Sequence, residues 1–470
     1  MFSRTLFRRT SYFSLISVFA FLTACGGDDG RNGTNGSDGS NGTDGQNGIP
    51  ALVTVDDVLK TNANVAYAAY GDSLVSAITL DAALARLVAN PSENALAEAK
   101  SAWFAAREPY GQTEVYRFRV GPIDALNDAG EMGEEGDGAE GRINAWPLGE
   151  AIIDYVANQV DGDESPENVE STAGITGNII ADSASFPTID KEALANNFEL
   201  GGDERNVTTG YHAIEFLLWG QDLNDDGSGN GARDATGGHR PFTDYLTTAG
   251  NCTSGDVAAA ETICERRGDY LLAASALLID DLTRIVDAWN PSVDGNHYST
   301  FVAGGNNSLA KILEGMGRLS FGELAGERMN IALLQDSQED EHSCFSDNTH
   351  RDIFLNAKGV QNAFLGDYQR IDGSVISGSG IDDLLISVGE VALENQLRAA
   401  LEDTMIKLAV IDQKAKSGEP FDNQIQNADS RALISAGIQG LSSQTDAIED
   451  VIQALNVTTG DLRQDTEEEI

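Results

Sequence analysis

Apolar residues recur at three- and four-residue spacing over most of this chain, and the two-residue alternation of a strand is nearly absent. That period commits the chain to helices packed on helices, because only a helix gathers such positions on one face. Val55 to Asn90 carries the pattern, with Gly71 predicted to break it into two pieces. Asn90-Pro91 opens another helix, the proline in its first turn, running through Trp103 to Pro109. Further helices are predicted over Gly149 to Val160, Asp269 to Trp289, Leu309 to Leu334 and Ile381 to Ile411, with one or two more between Phe421 and Leu455. Gly315, Gly317, Gly322 and Gly326 fall inside Leu309 to Leu334, where glycine otherwise weakens a helix, and imply close approach to a neighbouring backbone. Asn127 to Arg142, rich in glycine and acid, is predicted as a mobile surface loop, and the acidic C-terminal tail is expected to fray. The fold class is all-α. So many helices imply two packed bundles, 51–245 and 246–470, rather than one.

The first 25 residues read as a targeting segment. Arg4, Arg8 and Arg9 precede a short apolar run from Tyr12 to Leu22, too short to span a bilayer. Leu22-Thr23-Ala24-Cys25 resembles a bacterial lipoprotein signal, in which cleavage leaves a diacylated Cys25 as a membrane anchor, and Gly26 after it favours the outer membrane. From Gly27 to Gly48 every third residue is glycine, with no proline between them. A collagen helix needs proline-rich triplets, so 26–50 reads as a flexible tether. Thirty Lys and Arg against 75 Asp and Glu give a formal net charge of −45, which repels nucleic acid and attracts cations. Cys252 and Cys264 could close a short loop and leave Cys344 unpaired, with other pairings open.

The stretch Gly210-Tyr211-His212-Ala213-Ile214-Glu215, continuing into Phe216-Leu217-Leu218-Trp219, carries the most chemistry. Residues three apart on a helix share a face, so an imidazole and a carboxylate are aimed at one point from an apolar wall. Burying both requires a partner, which a metal ion or a polar network supplies. His212 and Glu215 can give two metal ligands, and by composition Glu114 is the best candidate for a third. One imidazole with several carboxylates suits iron or another fairly hard ion. The His-Glu-x-x-His motif of zinc proteases is absent, as are a Gly-x-Ser-x-Gly elbow and a phosphate-cradling glycine loop. His239 and His297 fall in glycine-rich loops and are expected to be solvated, whereas His342 and His350 lie in a segment dense in metal-capable side chains. Asp222, Asn224 and Asp226, with Gly227, start like a calcium loop, but Arg233 stands where the closing Glu belongs. A plain polar loop fits as well.

Taken together, several segments resemble the imelysin-like proteins, and within them the branch called iron-regulated protein A. These are Gly210 to Glu215, which fits the family's Gly-x-His-x-x-Glu, and Arg107-Glu108-Pro109-Tyr110-Gly111-Gln112-Thr113-Glu114. Gly121-Pro122-Ile123-Asp124, Ser320 to Met329 and the His342 to His350 block agree as well. The resemblance runs from about Val55 to Leu455. It implies two helical bundles with the His-x-x-Glu helix near their interface, in a bacterial envelope protein linked to iron supply. It carries His212 and Glu215 over as metal ligands, with Glu114, Arg107 and Glu341 as extrapolated members of the site. Three functions stay open: a lipid-anchored metal-binding protein of iron acquisition, holding iron or zinc beside envelope iron-uptake partners; a metallopeptidase, as some members are classified; and a receptor or assembly protein that binds no metal.

Overall fold

The computed structural model of the chain describes residues 52–134, 136–156, 178–223, 233–248, 250–252 and 260–463. The leader, Cys25, the glycine-repeat tether, Asn224, Asp226 and the C-terminal tail lie outside the described residues. Helix α1 (Val55–Ala89) starts at a capping box, in which the Thr54 hydroxyl accepts the Asp57 N–H and the Asp57 carboxylate accepts the Thr54 N–H. It runs unbroken through Gly71. A mid-helix glycine costs only about 1 kcal/mol, too little to interrupt 35 residues whose buried face extends from Val58 to Leu87. Helix α2 (Glu93–Gly111), capped by Ser92, packs along α1. Helices α3 (Gly210–Trp219) and α4 (Ala260–Ala288) follow, α4 lying against both α1 and α3.

Helix α5 (Asn306–Arg318) widens into π-helical turns over Leu319–Ile331 and ends in Ala332–Gln335. Its glycines do allow close approach: a Cβ on Gly315 would stand 2.4 Å from the Val115 carbonyl oxygen. Helix α6 (Thr349–Leu365) leads to a two-stranded antiparallel hairpin, Asp367–Gln369 with Val375–Ser377. The helix predicted over Ile381 to Ile411 is two helices, α7 (Ile381–Val388) and α8 (Val391–Ala415), because Gly389 takes φ 91° between them. A short helix, Phe421–Gln426, and α9 (Ala428–Leu455) are the last helices among the described residues.

Two other expectations change. Of the helix predicted over Gly149 to Val160, the described part is a single 3-10 turn, Glu150–Ile152. The Asn127 to Arg142 loop is tied down. The Asp124 carbonyl accepts the Gly136 and Gly138 N–H groups, Leu126 bridges to Met132, and Arg142 pairs with buried Asp281 at 3.0 Å.

Among the described residues, two large apolar clusters form the interior. The larger joins α1, α2, α3, α4 and the start of α5, and so draws on both sides of residue 245. The smaller joins Leu324, Met329, Ile353, Leu408, Ile411, Phe421 and Leu441. Cys252 and Cys264 are disulfide-bonded, and Cys344 is free and buried. Among the described residues no helix is long and apolar enough to cross a membrane.

Candidate metal centre

Helix α3 is buried along its whole length, which its nearly continuous apolar sequence requires. It begins at Gly210, held at φ 83° with the Ile143 carbonyl oxygen 2.5 Å from where a Cβ would stand. Only glycine fits there. That start places His212, 2% exposed, and Glu215, fully buried, one turn apart. His212 Nδ1 lies 2.8 Å from Glu215 Oε2. The other oxygen, Oε1, accepts the Ser346 N–H at 3.0 Å and the Ser346 hydroxyl at 2.6 Å. Glu215 is therefore engaged on both oxygens behind the imidazole. His212 Nε2 is buried with no hydrogen-bond partner.

Burial, reinforced by His342 and Arg107, holds the His212 imidazole well below its ordinary pKa. Burial likewise pushes the Glu215 carboxyl well above the usual carboxylate range, against the pull of Ser346. The two groups share one proton along the Nδ1–Oε2 line. With that proton on Oε2 both groups are uncharged and Nε2 carries a hydrogen of its own; once the Nε2 hydrogen is released, as on binding a cation, the shared proton rests on Nδ1, Glu215 is a carboxylate and Nε2 presents a lone pair.

The second imidazole, His342, stands edge-on to His212 with ring centres 4.7 Å apart. It is fully satisfied. Burial would raise the Asp352 carboxyl, but Arg107 and His342 outweigh it and keep Asp352 ionised. Asp352 Oδ2 accepts from His342 Nδ1 at 3.0 Å and also from the Ser343 hydroxyl, while Oδ1 accepts two Arg107 donors. Arg107 Nη1 also donates to Asn144 Oδ1, so the Asn144 amide nitrogen faces His342 Nε2 at 3.2 Å. These contacts fix the tautomer with hydrogen on Nδ1. Burial and Arg328 press His342 down to about 4, so it is neutral near pH 7.

His212 and His342 line a cavity with Trp146, Pro147, Leu148, Glu339, Glu341, Cys344 and Phe345. Its usable volume is about 10 Å³, on the scale of one water or one bare ion. Glu341 is 1% exposed, and neither carboxylate oxygen has a hydrogen-bond partner. The Thr349 hydroxyl tempers its raised pKa without reaching hydrogen-bond geometry.

Of the residues singled out in the sequence, His212, Glu215 and Glu341 gather here, with Arg107 one layer behind. Glu114 does not line the cavity. It pairs with Arg328 at 2.8 Å and Arg117 at 3.1 Å, which outweigh burial and bring it down to about 2. Arg328 in turn stacks over Trp146. Asn144, Ser346 and Asp352 went unforeseen; only the polar block around His350 hinted at the last two.

His239 is exposed as expected, but His297 packs edge-on against Trp289, and burial takes it down to about 3. Arg233, at the closing position of the supposed calcium loop, donates to the Asp422 and Asp336 carbonyls. Among the described residues, the one set of three acidic, His or Cys ligand atoms within 4.8 Å of one another is Asp222, Asp347 and Asp422. Burial and mutual repulsion push Asp222 up to about 10 and Asp347 to about 8.

An all-α fold built round a buried helix that presents glycine, imidazole and carboxylate in this order defines a His-x-x-Glu class of helical protein. Residues 66–448 match the family model described as Imelysin, and the chain belongs to that family. An iron-regulated protein A precursor from Parabacteroides distasonis ATCC 8503 superposes with a TM-score of 0.57 at 16% identity, over 86% of this chain and 96% of its own. An imelysin-like protein from Psychrobacter arcticum 273-4 gives 0.52 at 14% identity, over 87% and 98%. No curated protein gives a match.

Proposed function

We propose that the chain is an envelope protein of iron supply, tethered through a lipid on Cys25 at the outer membrane, that binds one metal ion, iron by preference, at His212. One observation carries this reading: the buried, unpartnered Nε2 of His212, facing a cavity that also holds the unpartnered carboxylate of Glu341. An isolated polar atom in such a place costs about 1–3 kcal/mol, and a buried carboxylate more, unless a ligand completes them. A cation satisfies both at once. His212 would hold the ion through Nε2, and Glu341, on the wall of the same cavity, would supply oxygen. A bound ion would provide the positive charge that buried Glu341 lacks.

Glu215 does not ligate in this scheme. It orients the ring through Nδ1, the arrangement found behind most metal-bound histidines. An iron-regulated protein A precursor shares the fold, and the imidazole-plus-carboxylate set suits a fairly hard ion. A site with room for one ion also fits metal binding better than accommodation of a peptide.

Metal analysis of the purified protein tests the proposal. The wild type should retain close to one iron or zinc per chain, and His212→Ala should retain none with the fold intact. Equal metal in both would overturn it. Cleavage of unfolded polypeptide by repurified, metal-loaded protein, lost in Glu215→Ala, would move the assignment to a metallopeptidase.

A further inference from the structure

We propose that Asp222, Asp347 and Asp422 form a second cation site, for a hard divalent ion of the calcium type, which pins the 337–348 segment to the rest of the fold. The three carboxylates come from separate parts of the chain: just beyond the end of α3, just before α6, and the short helix Phe421–Gln426. Each offers an oxygen within 4.8 Å of the others. Carboxylates so close repel one another and take up protons unless a cation lies between them, and all-oxygen donor sets select hard ions.

A buried atom points to the same ligand. Asp422 is 2% exposed, and its Oδ1 has no hydrogen-bond partner. Glu341, assigned above to the His212 cavity, has Asp422 as its strongest charged neighbour and also feels Asp347, so the two sites adjoin. The cation at the rim does not close the set. Arg233 bonds main-chain carbonyls and reaches Asp422 and Glu341 only through space. Gln338 occupies one oxygen of Asp222 and leaves the other for an ion.

The site stands independently of the His212 assignment, yet the two are joined mechanically. The 337–348 segment that carries Asp347 also carries His342 and Ser346, the residues that face His212 and hold Glu215. A cation at the three aspartates would fix the wall of the histidine cavity. It is not an EF-hand, since Arg233 stands where a bidentate Glu would close such a loop.

The test is calorimetric and thermal titration of chelator-treated full-length protein with calcium alone and magnesium alone, at about 0.15 M salt to screen the acidic surface. Wild type should take up one calcium per chain with a rise in Tm, and magnesium more weakly. Asp347→Asn is the primary variant, because Asp347 sits at φ 61°, which asparagine accepts readily. It should lose calcium affinity at least about tenfold. Its chelator-treated form should be no less stable than the wild type, since asparagine replaces a carboxyl that burial and its acidic neighbours already push toward the neutral form. His212→Ala should bind calcium normally. Three results overturn the proposal: no calcium-dependent Tm rise in the wild type, uptake unchanged in both Asp347→Asn and Asp222→Asn, or loss of binding in His212→Ala. Weak, multi-site uptake indifferent to Asp347 is surface condensation and counts against it too.

Discussion

Two imidazoles 4.7 Å apart are wired in opposite ways. His342 spends both nitrogens on Asp352 and Asn144, while His212 spends one on Glu215 and leaves the other bare. The bare one is the ligand in our assignment, and Glu215 governs its protonation. In Glu215→Gln the amide can still accept from Ser346 and can donate to Nδ1, which locks hydrogen onto Nε2. The variant should fold with undiminished stability but lose metal affinity by about 10- to 100-fold or more, read by titration against a competing chelator. Full affinity in a folded variant would show that Glu215 has no orienting role. His212 and Glu215 were legible in the sequence because helical period alone puts positions three apart on one face. Their division of labour was not, because it depends on Ser346, 131 residues away in the chain. Asn144, 198 residues from His342, left no local signal at all. Glu114 suited a metal by composition, but Arg117, three residues on, and Arg328, far along the chain, already pair with it.

Among the elements, α3 depends most on a single residue. Gly210 combines φ 83° with a main-chain oxygen where a side chain would go, so neither a rotamer change nor a small shift accommodates a methyl group. Gly210→Ala should destabilise the fold by more than about 1 kcal/mol and disturb metal binding with it. Gly71→Ala in α1 is the control: nothing lies within 4 Å of the added carbon, so it should stabilise by about 0.4–1 kcal/mol. Denaturant midpoints measure both, and a neutral Gly210→Ala would remove the geometric reason for the motif's glycine. Most helices could be read from the apolar period; their interruptions could not. Gly71 and Gly389 look alike as letters, yet one continues a helix and the other, at φ 91°, ends one. The π-helical turns were hidden as well. They let Arg328 reach Glu323 five residues back, and a pattern of apolar positions does not register that spacing.

For the molecule as a whole, charge and burial set the response to pH. His212, His297 and His342 are neutral in the fold, with His342 at about 4 and His297 at about 3. An unfolded chain takes up these protons near pH 6.5, so below that value the unfolded state binds more of them and stability falls with pH. Glu215 acts in the reverse sense. Its carboxyl is raised in the fold, so stability is lost as pH climbs above the ordinary value of 4.5. Stability of the metal-free protein should therefore peak on the acid side of neutral, as denaturation across pH would show. His297→Phe should flatten part of the acid limb while leaving metal uptake alone; an unchanged limb would mean that ring is protonated in the native state. The small size of the His212 cavity has one further consequence. It leaves room for the centre of about one water molecule, so an ion seated there gives up most of its hydration shell and takes its donors from the wall. Admission then favours ions that undress easily and disfavours magnesium, which holds its water tightly, however abundant it is outside.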